Sequence, residues 1–171
     1  GGFETFAQEL AVRLAAHGTD YRDTSRIRWR DWLGSVLDGW HVLRGQCAQV
    51  FLVGHSVGGV VCLYASTLIA PAGVAVLASP LEYAAPMARH SPWLRYIMRR
   101  FDTPDRSDLP DRMRAEQRQR GEPEYGRVRY DRWTGHAVAE AYLLSQAVRA
   151  RLPLVKAPLL TVYSTIDDVV P

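Results

Sequence analysis

Gly54-His55-Ser56-Val57-Gly58 sets a serine between glycines, with the apolar run Val50 to Val53 leading in and a helical pattern from Val57 leading out. A serine at such a strand-to-helix junction takes strained backbone angles that lift its hydroxyl above the sheet edge, where it can attack a carbonyl carbon. Gly54 and Gly58 are expected to be small because a Cβ there would strike the neighbouring strand or helix, and Gly59 extends the small-residue run as support for the elbow. His55 belongs to the elbow as support, its ring turned away from the hydroxyl by strand alternation. The helix opening at Val57 aims its first amides at the reacting centre, which makes the Val57 N–H the first oxyanion donor. The same letters arise by chance in glycine-containing turns, and the strand before and helix after them argue for the nucleophile.

A serine hydroxyl attacks at neutral pH only if a base takes its proton and a carboxylate orients that base. Where such a junction tops a parallel sheet, the chain order is serine, acid, histidine, with the acid in the loop after a later strand. Asp167 lies just past the strand that ends near Ser164, with Asp168 as its competitor. The base is the difficulty. All five histidines, His17, His41, His55, His90 and His136, precede the acid, and each reads as a surface or core residue. The base is therefore expected outside these 171 residues.

The elements that must position these groups alternate short apolar runs with helical periodicities, the pattern of a parallel sheet with crossover helices. Trp29, Trp32, Leu33, Val36, Leu37, Trp40 and Leu43 recur at three- and four-residue steps, predicting a helix from Trp29 to Leu43 stopped by Gly45. Val50 to Val53, Val74 to Ala78 and Leu159 to Tyr163 read as strands buried on both faces. Helices are predicted over Val57 to Ala70 and His136 to Leu152, while Leu10 to Leu14 is a short strand or a helix end. Between Leu81 and Tyr130 prolines and charges crowd together around two helical patterns, Trp93 to Phe101 and Asp111 to Arg120, which suggests an inserted helical cap. The chain divides accordingly into 1–80, the first part of the core with the elbow; 81–132, the cap; and 133–171, the core up to the acid loop.

Composition narrows the classes further. With 47% hydrophobic and 23% charged residues, disordered, collagen-like and coiled-coil readings fall away, and one domain with a real core is expected. Lys156 is the one lysine among 21 Lys+Arg, and the arginines between Arg95 and Arg132 are interspersed with acids, so the net charge of +3 reads as a mixed solvated surface rather than a nucleic-acid site. The uncharged stretch from Gly45 to Leu81 is broken by Pro71 and Gly73, so no membrane span is expected. The N-terminal residues lack a signal-peptide pattern, and Cys47 and Cys62 suit reduced, buried thiols, which together point to the cytoplasm. No metal or nucleotide site is legible, and no cofactor is expected.

Several spaced features resemble the alpha/beta-hydrolase superfamily, and within it the small bacterial carboxylesterases and monoacylglycerol lipases. They are His17-Gly18-Thr19 followed by Trp29 and Trp32, then Val50 to Gly59, Ala78-Ser79-Pro80, and Ala157-Pro158-Leu-Leu-Thr-Val-Tyr before the aspartate loop, with Ser164 where that family has glycine. The resemblance implies an alpha/beta-hydrolase fold, a mostly parallel sheet with a helical cap, and places the catalytic acid at Asp167. It also implies a second oxyanion amide near the N-terminus, for which Phe3 is the candidate. A preceding strand and a following strand with the catalytic histidine are missing from the pattern, so the chain is expected to be a fragment or a variant with losses. A sheet without those edges exposes backbone and apolar faces, and self-association is expected.

Two functions fit. One is a serine hydrolase of short to medium acyl esters, including monoglycerides, with Trp93, Leu94, Ile97 and Met98 either lining an acyl pocket or packing the cap onto the core. The other is a non-catalytic module of the same fold that binds a hydrophobic ligand or a partner.

Overall fold

The structure, a computed structural model, describes residues 12–17, 19–102, 108–122, 130 and 132–165. The first regular element after a capped 3-10 turn at Tyr21–Ser25 is α1, Trp29–Arg44. Its buried residues Trp29, Trp32, Leu33 and Val36 follow the predicted stripe, and the Asp31 carboxylate accepts the Arg28 amide at 2.7 Å to fix the first turn. β1, Phe51–His55, leads through Ser56 into α2, Val57–Ser66, and β2, Gly73–Leu77, follows. The chain then makes an excursion through α3, Ser91–Leu94, β3, Arg100–Asp102, α4, Asp108–Gln119, and β4, Arg132–Thr134. It returns along α5, Gly135–Arg149, to β5, Leu159–Val162.

β1, β2 and β5 form a parallel three-stranded sheet in the order β1-β2-β5, while β3 and β4 pair antiparallel as a separate ribbon. The helix predicted from Trp93 to Phe101 is replaced by the short α3 and this ribbon, in which Phe101 pairs with Trp133. The reason is tertiary: Gly135 lies so close to the end of α3 that a Cβ there would sit 2.1 Å from the Met98 carbonyl oxygen, and the Gly135 amide binds the Arg99 carbonyl at 3.1 Å. Continuing the helix would break that seam. Of the Leu10 to Leu14 segment, residues 10 and 11 lie outside the described residues, and 12–14 adopt no regular structure.

α2 is the centre of the core, with Val60, Val61, Leu63 and Ala65 fully buried between the sheet and α1 and α5. The expectation of strands buried on both faces is corrected for two of the three: β2 is buried or half-buried along its length, but β1 is buried on one face only and β5 is exposed throughout. Phe51, Val53 and His55 of β1 alternate outward, Leu160 and Val162 lie in the same rows across the register, and all are exposed. Val50 to Val53 is apolar without interruption and Leu159 to Tyr163 is broken only by Thr161, so composition hides an asymmetry that only the placement of the helices reveals. Cys62 is buried and its thiol is pushed up to about 11 by desolvation, whereas Cys47 is half-buried.

One buried charge ties three segments together. The Glu140 carboxylate on α5, 2% exposed, accepts from Arg95 Nη1 at 3.0 Å, from Arg28 Nη1 at 3.3 Å and from the Trp29 amide at 3.0 Å. It holds the N-terminus of α1 and the end of α3 onto α5. Arg95 is largely buried and Arg28 mostly exposed, so the two pairs differ in screening. Glu140→Ala should lower the unfolding free energy by about 3 kcal/mol, because two guanidinium groups and an amide lose their acceptor. Arg28→Ala should cost less than about 1 kcal/mol. Urea denaturation of the two variants side by side checks this ordering.

Candidate active site

The nucleophile candidate sits where β1 hands over to α2. Ser56 has φ 53° and ψ −128°, a left-handed backbone that a side chain normally avoids, and its side chain makes no capping bond to the helix it precedes. The strained residue is fastened from both sides: its amide donates to the Leu77 carbonyl at 2.8 Å, and its carbonyl accepts the Gly59 amide at 3.0 Å. The hydroxyl is thus left for other work at the carboxyl edge of the sheet. Val57 opens α2, so its amide is among the first-turn N–H groups that have no partner within the helix. An anion held on it would also gain from the positive end of α2.

The small residues of the elbow are not equivalent. A Cβ on Gly54 would lie 2.5 Å from the Gly59 Cα, and one on Gly59 would lie 1.9 Å from the Ser79 Oγ and 2.9 Å from the Gly54 carbonyl oxygen. A Cβ on Gly58 would meet nothing within 4 Å. The steric expectation therefore holds for Gly54 and is corrected for Gly58, whose Cα hydrogens face open space at the helix start; the second close contact is made by Gly59 instead. Close packing of α2 on β1 is set by Gly54 against Gly59, with Ser79 behind.

Ser79 is a buried neighbour of the elbow that the serine-between-glycines pattern does not reveal. It is completely buried at the end of β2, donates from Oγ to the Leu77 carbonyl at 3.3 Å, and its own carbonyl accepts the Tyr163 hydroxyl at 2.8 Å. Ala78 before it is a second non-glycine residue with positive φ, 45°, held by its amide on the Val162 carbonyl at 2.9 Å. Ser79 thus ties the end of β2 to Tyr163 just beyond β5 and backs Gly59 of α2. The only trace of this in the sequence is the Ala78-Ser79-Pro80 ending.

The remaining candidates are dispersed. His55 is exposed on the outer sheet face, opposite Leu77 in register and turned from Ser56 by alternation. His17 packs edge-on against Trp32 at 5.6 Å, His136 binds the Ile27 carbonyl at 2.9 Å, His90 pairs with Arg89 Nε at 3.0 Å, and His41 is exposed on α1. None of these bonds reaches Ser56. Asp167, Asp168 and Phe3 lie outside the described residues. Trp93 and Ile97 are 78% and 81% exposed, Leu94 is half-buried and Met98 is exposed, so the described residues do not gather them into a pocket. An open groove lies elsewhere, lined by Ser79, Leu81, Glu82, Arg149, Leu152 and Tyr163.

Comparison with known proteins accords with this geometry. The sequence profile described as the alpha/beta hydrolase family matches residues 3–171. A segment of 52 residues, 30% of this chain and 21% of the relative, is 42% identical to the thermostable monoacylglycerol lipase of Bacillus sp. (strain H-257). A solved structure reported for LipS and LipT, two metagenome-derived lipolytic enzymes, superposes with a TM-score of 0.76 at 21% identity, covering 93% of this chain and 61% of that one. The monoacylglycerol lipase of Paleococcus ferrophilus gives 0.57 at 20% identity, covering 90% and 57%. These structural likenesses show the fold. The chain spans about a fifth of the curated relative it matches and 61% of the LipS/LipT structure.

The elbow makes a sharp prediction about its glycines. Gly59→Ala should destabilise the protein by more than about 2 kcal/mol, because the backbone and the buried Ser79 cannot both yield. Gly58→Ala should be neutral or stabilising by up to about 1 kcal/mol, since alanine enters a helix turn with space around it. Thermal unfolding of the two variants, one residue apart, measures the difference.

Proposed function

We propose, from the premise that the chain belongs to the alpha/beta hydrolase family, that it is the nucleophile-bearing part of a serine hydrolase of carboxylic esters with short to medium acyl chains, monoacylglycerols among them. The observation that carries the reading is the left-handed Ser56 at the head of α2 with its hydroxyl uncommitted to the helix. Ser56 Oγ attacks the ester carbonyl, the Val57 amide takes the developing oxyanion, and a histidine oriented by Asp167 accepts the serine proton and returns it to the leaving alcohol. The segment 81–132 acts as the cap over the acyl chain.

The topology supports Asp167 as the acid. β5 lies two strand spacings from β1, about 10 Å, and His55, Leu77 and Val162 share one row at the carboxyl edge. An extended chain from Val162 to Asp167 reaches up to about 17 Å, enough to bring a carboxylate towards a histidine beside Ser56. The likeness to a monoacylglycerol lipase over 52 residues supports the substrate class. A non-catalytic binding module of the same fold is the second reading, and the observation in its favour is that the bonds made by His17, His90 and His136 all lead away from Ser56.

The native gene product should become covalently labelled by a fluorophosphonate, with the added mass on the peptide containing Ser56. Ser56→Ala should abolish the label and lower kcat on a medium-chain monoacylglycerol by about 10⁶-fold. Asp167→Asn should retain a slow label while kcat falls by about 10⁴-fold. A protein that neither labels nor hydrolyses is the binding module instead.

A further inference from the structure

From Tyr83 to Phe101 the chain has no acidic residue, and it carries Arg89, Arg95, Arg99 and Arg100. Within this stretch Trp93, Tyr96 and Ile97 are 78%, 70% and 81% exposed. The turn beyond α3 keeps helical bonds, Tyr96 N to the Trp93 carbonyl at 3.2 Å and Ile97 N to the Leu94 carbonyl at 3.0 Å, so the three side chains share one outward face. Arg89 and His90 lie in the 3-10 turn that runs directly into α3, Arg99 and Arg100 follow it, and all four are exposed.

The crest is not a loosely packed end. Its inner side is fixed by Arg95 on the buried Glu140 at 3.0 Å and by the contact of Gly135 with the Met98 carbonyl. A folded protein seldom displays a tryptophan, a tyrosine and an isoleucine together on an anchored face without a partner. Trp and Tyr favour the boundary between hydrocarbon and water, and arginine pairs bidentately with phosphate oxygens. An apolar tip flanked by arginines, with Glu82 and Asp102 as the nearest carboxylates in sequence and Asp102 paired with Arg132 at 3.3 Å, matches the layering of a lipid surface: apolar below, phosphate above. A nucleic acid would leave Ile97 and the neighbouring exposed Met87 without use.

We propose that this crest docks the protein on an anionic lipid bilayer, with Trp93, Tyr96 and Ile97 entering the headgroup layer and Arg89, Arg99 and Arg100 on lipid phosphates. The mode is lying on the surface rather than spanning it; among the described residues no helix is long and apolar enough to cross a membrane. Docking does not depend on the ester-hydrolase reading, since it needs no turnover.

Vesicle flotation of the native gene product tests it, using phosphatidylcholine vesicles with and without about 30 mol% phosphatidylglycerol. Binding should be at least tenfold stronger, on the order of one decade or more, to the anionic vesicles and should weaken in about 0.5 M salt. Trp93→Ser with Ile97→Ser should lower it by about tenfold or more. Arg99→Gln with Arg100→Gln should lower it by about 25-fold. Arg13→Gln with Arg44→Gln removes equal charge from exposed positions outside the crest and should change binding by less than about threefold. Circular dichroism checks that each variant folds.

Equal binding to neutral and anionic vesicles, no flotation at all, or an equal loss in the Arg13/Arg44 control overturns the proposal. So does a dimer that Trp93→Ser with Ile97→Ser dissolves in the absence of vesicle binding, since the crest then serves a second copy. Ser56→Ala should float like the native protein. Flotation lost with soluble-ester hydrolysis intact rejects docking alone, and the converse rejects the hydrolase reading alone.

Discussion

Ser56 can hold a left-handed backbone only while the strand before it and the helix after it are pressed together. That pressing depends on two backbones meeting without side chains: Gly54 and Gly59 approach so closely that a Cβ on either would overlap the other residue. Such strain costs about 1–3 kcal/mol and persists only where the surroundings over-determine it. Here the surroundings are the bond from the Ser56 amide to Leu77, the buried Ser79 behind Gly59, and the apolar body of α2, whose Val60, Val61 and Leu63 are sealed in the core. Burial of a valine or leucine side chain contributes about 1.5–3 kcal/mol, so the packing of α2 outweighs the strain at its first residue. The same arrangement leaves the hydroxyl and the Val57 amide at the sheet edge.

A second constraint acts at a distance from this edge. Glu140 is the acceptor on which α1, α5 and the end of α3 converge, and its burial makes the arrangement depend on Arg95 being present. The excursion between β2 and α5 is therefore joined to the core at a charged hinge and at the Gly135–Met98 contact. With its inner side held, its outer side can present apolar residues to a surface without collapsing back onto the core. Ser145, bonded to the Pro80 carbonyl at 2.7 Å, completes the link between α5 and the strand end that carries Ser79.

Much of this was legible in the chain itself. The Trp29 to Leu43 periodicity, the apolar runs of the three strands and the serine between glycines are local signals, and each corresponds to an observed element with ends shifted by a few residues. What local signals do not carry is direction. The pattern G-x-S-x-G gives Gly54 and Gly58 equal weight, yet the contact is made by Gly59, because the next step of the helix turns that Cα towards β1. An unbroken apolar run does not say which face a helix will cover, so the open row of Val53 and Leu160 was not foreseen. The β3–β4 ribbon pairs short, partly charged segments far apart in sequence, and neither has a strand signature of its own. Glu140 reads as an ordinary helical glutamate until Arg28 and Arg95 are brought to it from elsewhere.

We propose that the backbone of Ser56 is preformed for attack, with the Val57 amide as oxyanion donor. A crystal structure of the native gene product after reaction with an alkyl fluorophosphonate tests it most directly. The expected structure has a bond from Ser56 Oγ to phosphorus, a phosphonyl oxygen about 2.7–3.1 Å from the Val57 nitrogen, and Ser56 still at a φ near 53°. An unmodified Ser56 with a relaxed negative φ, or a phosphonyl oxygen directed away from the start of α2, would contradict it.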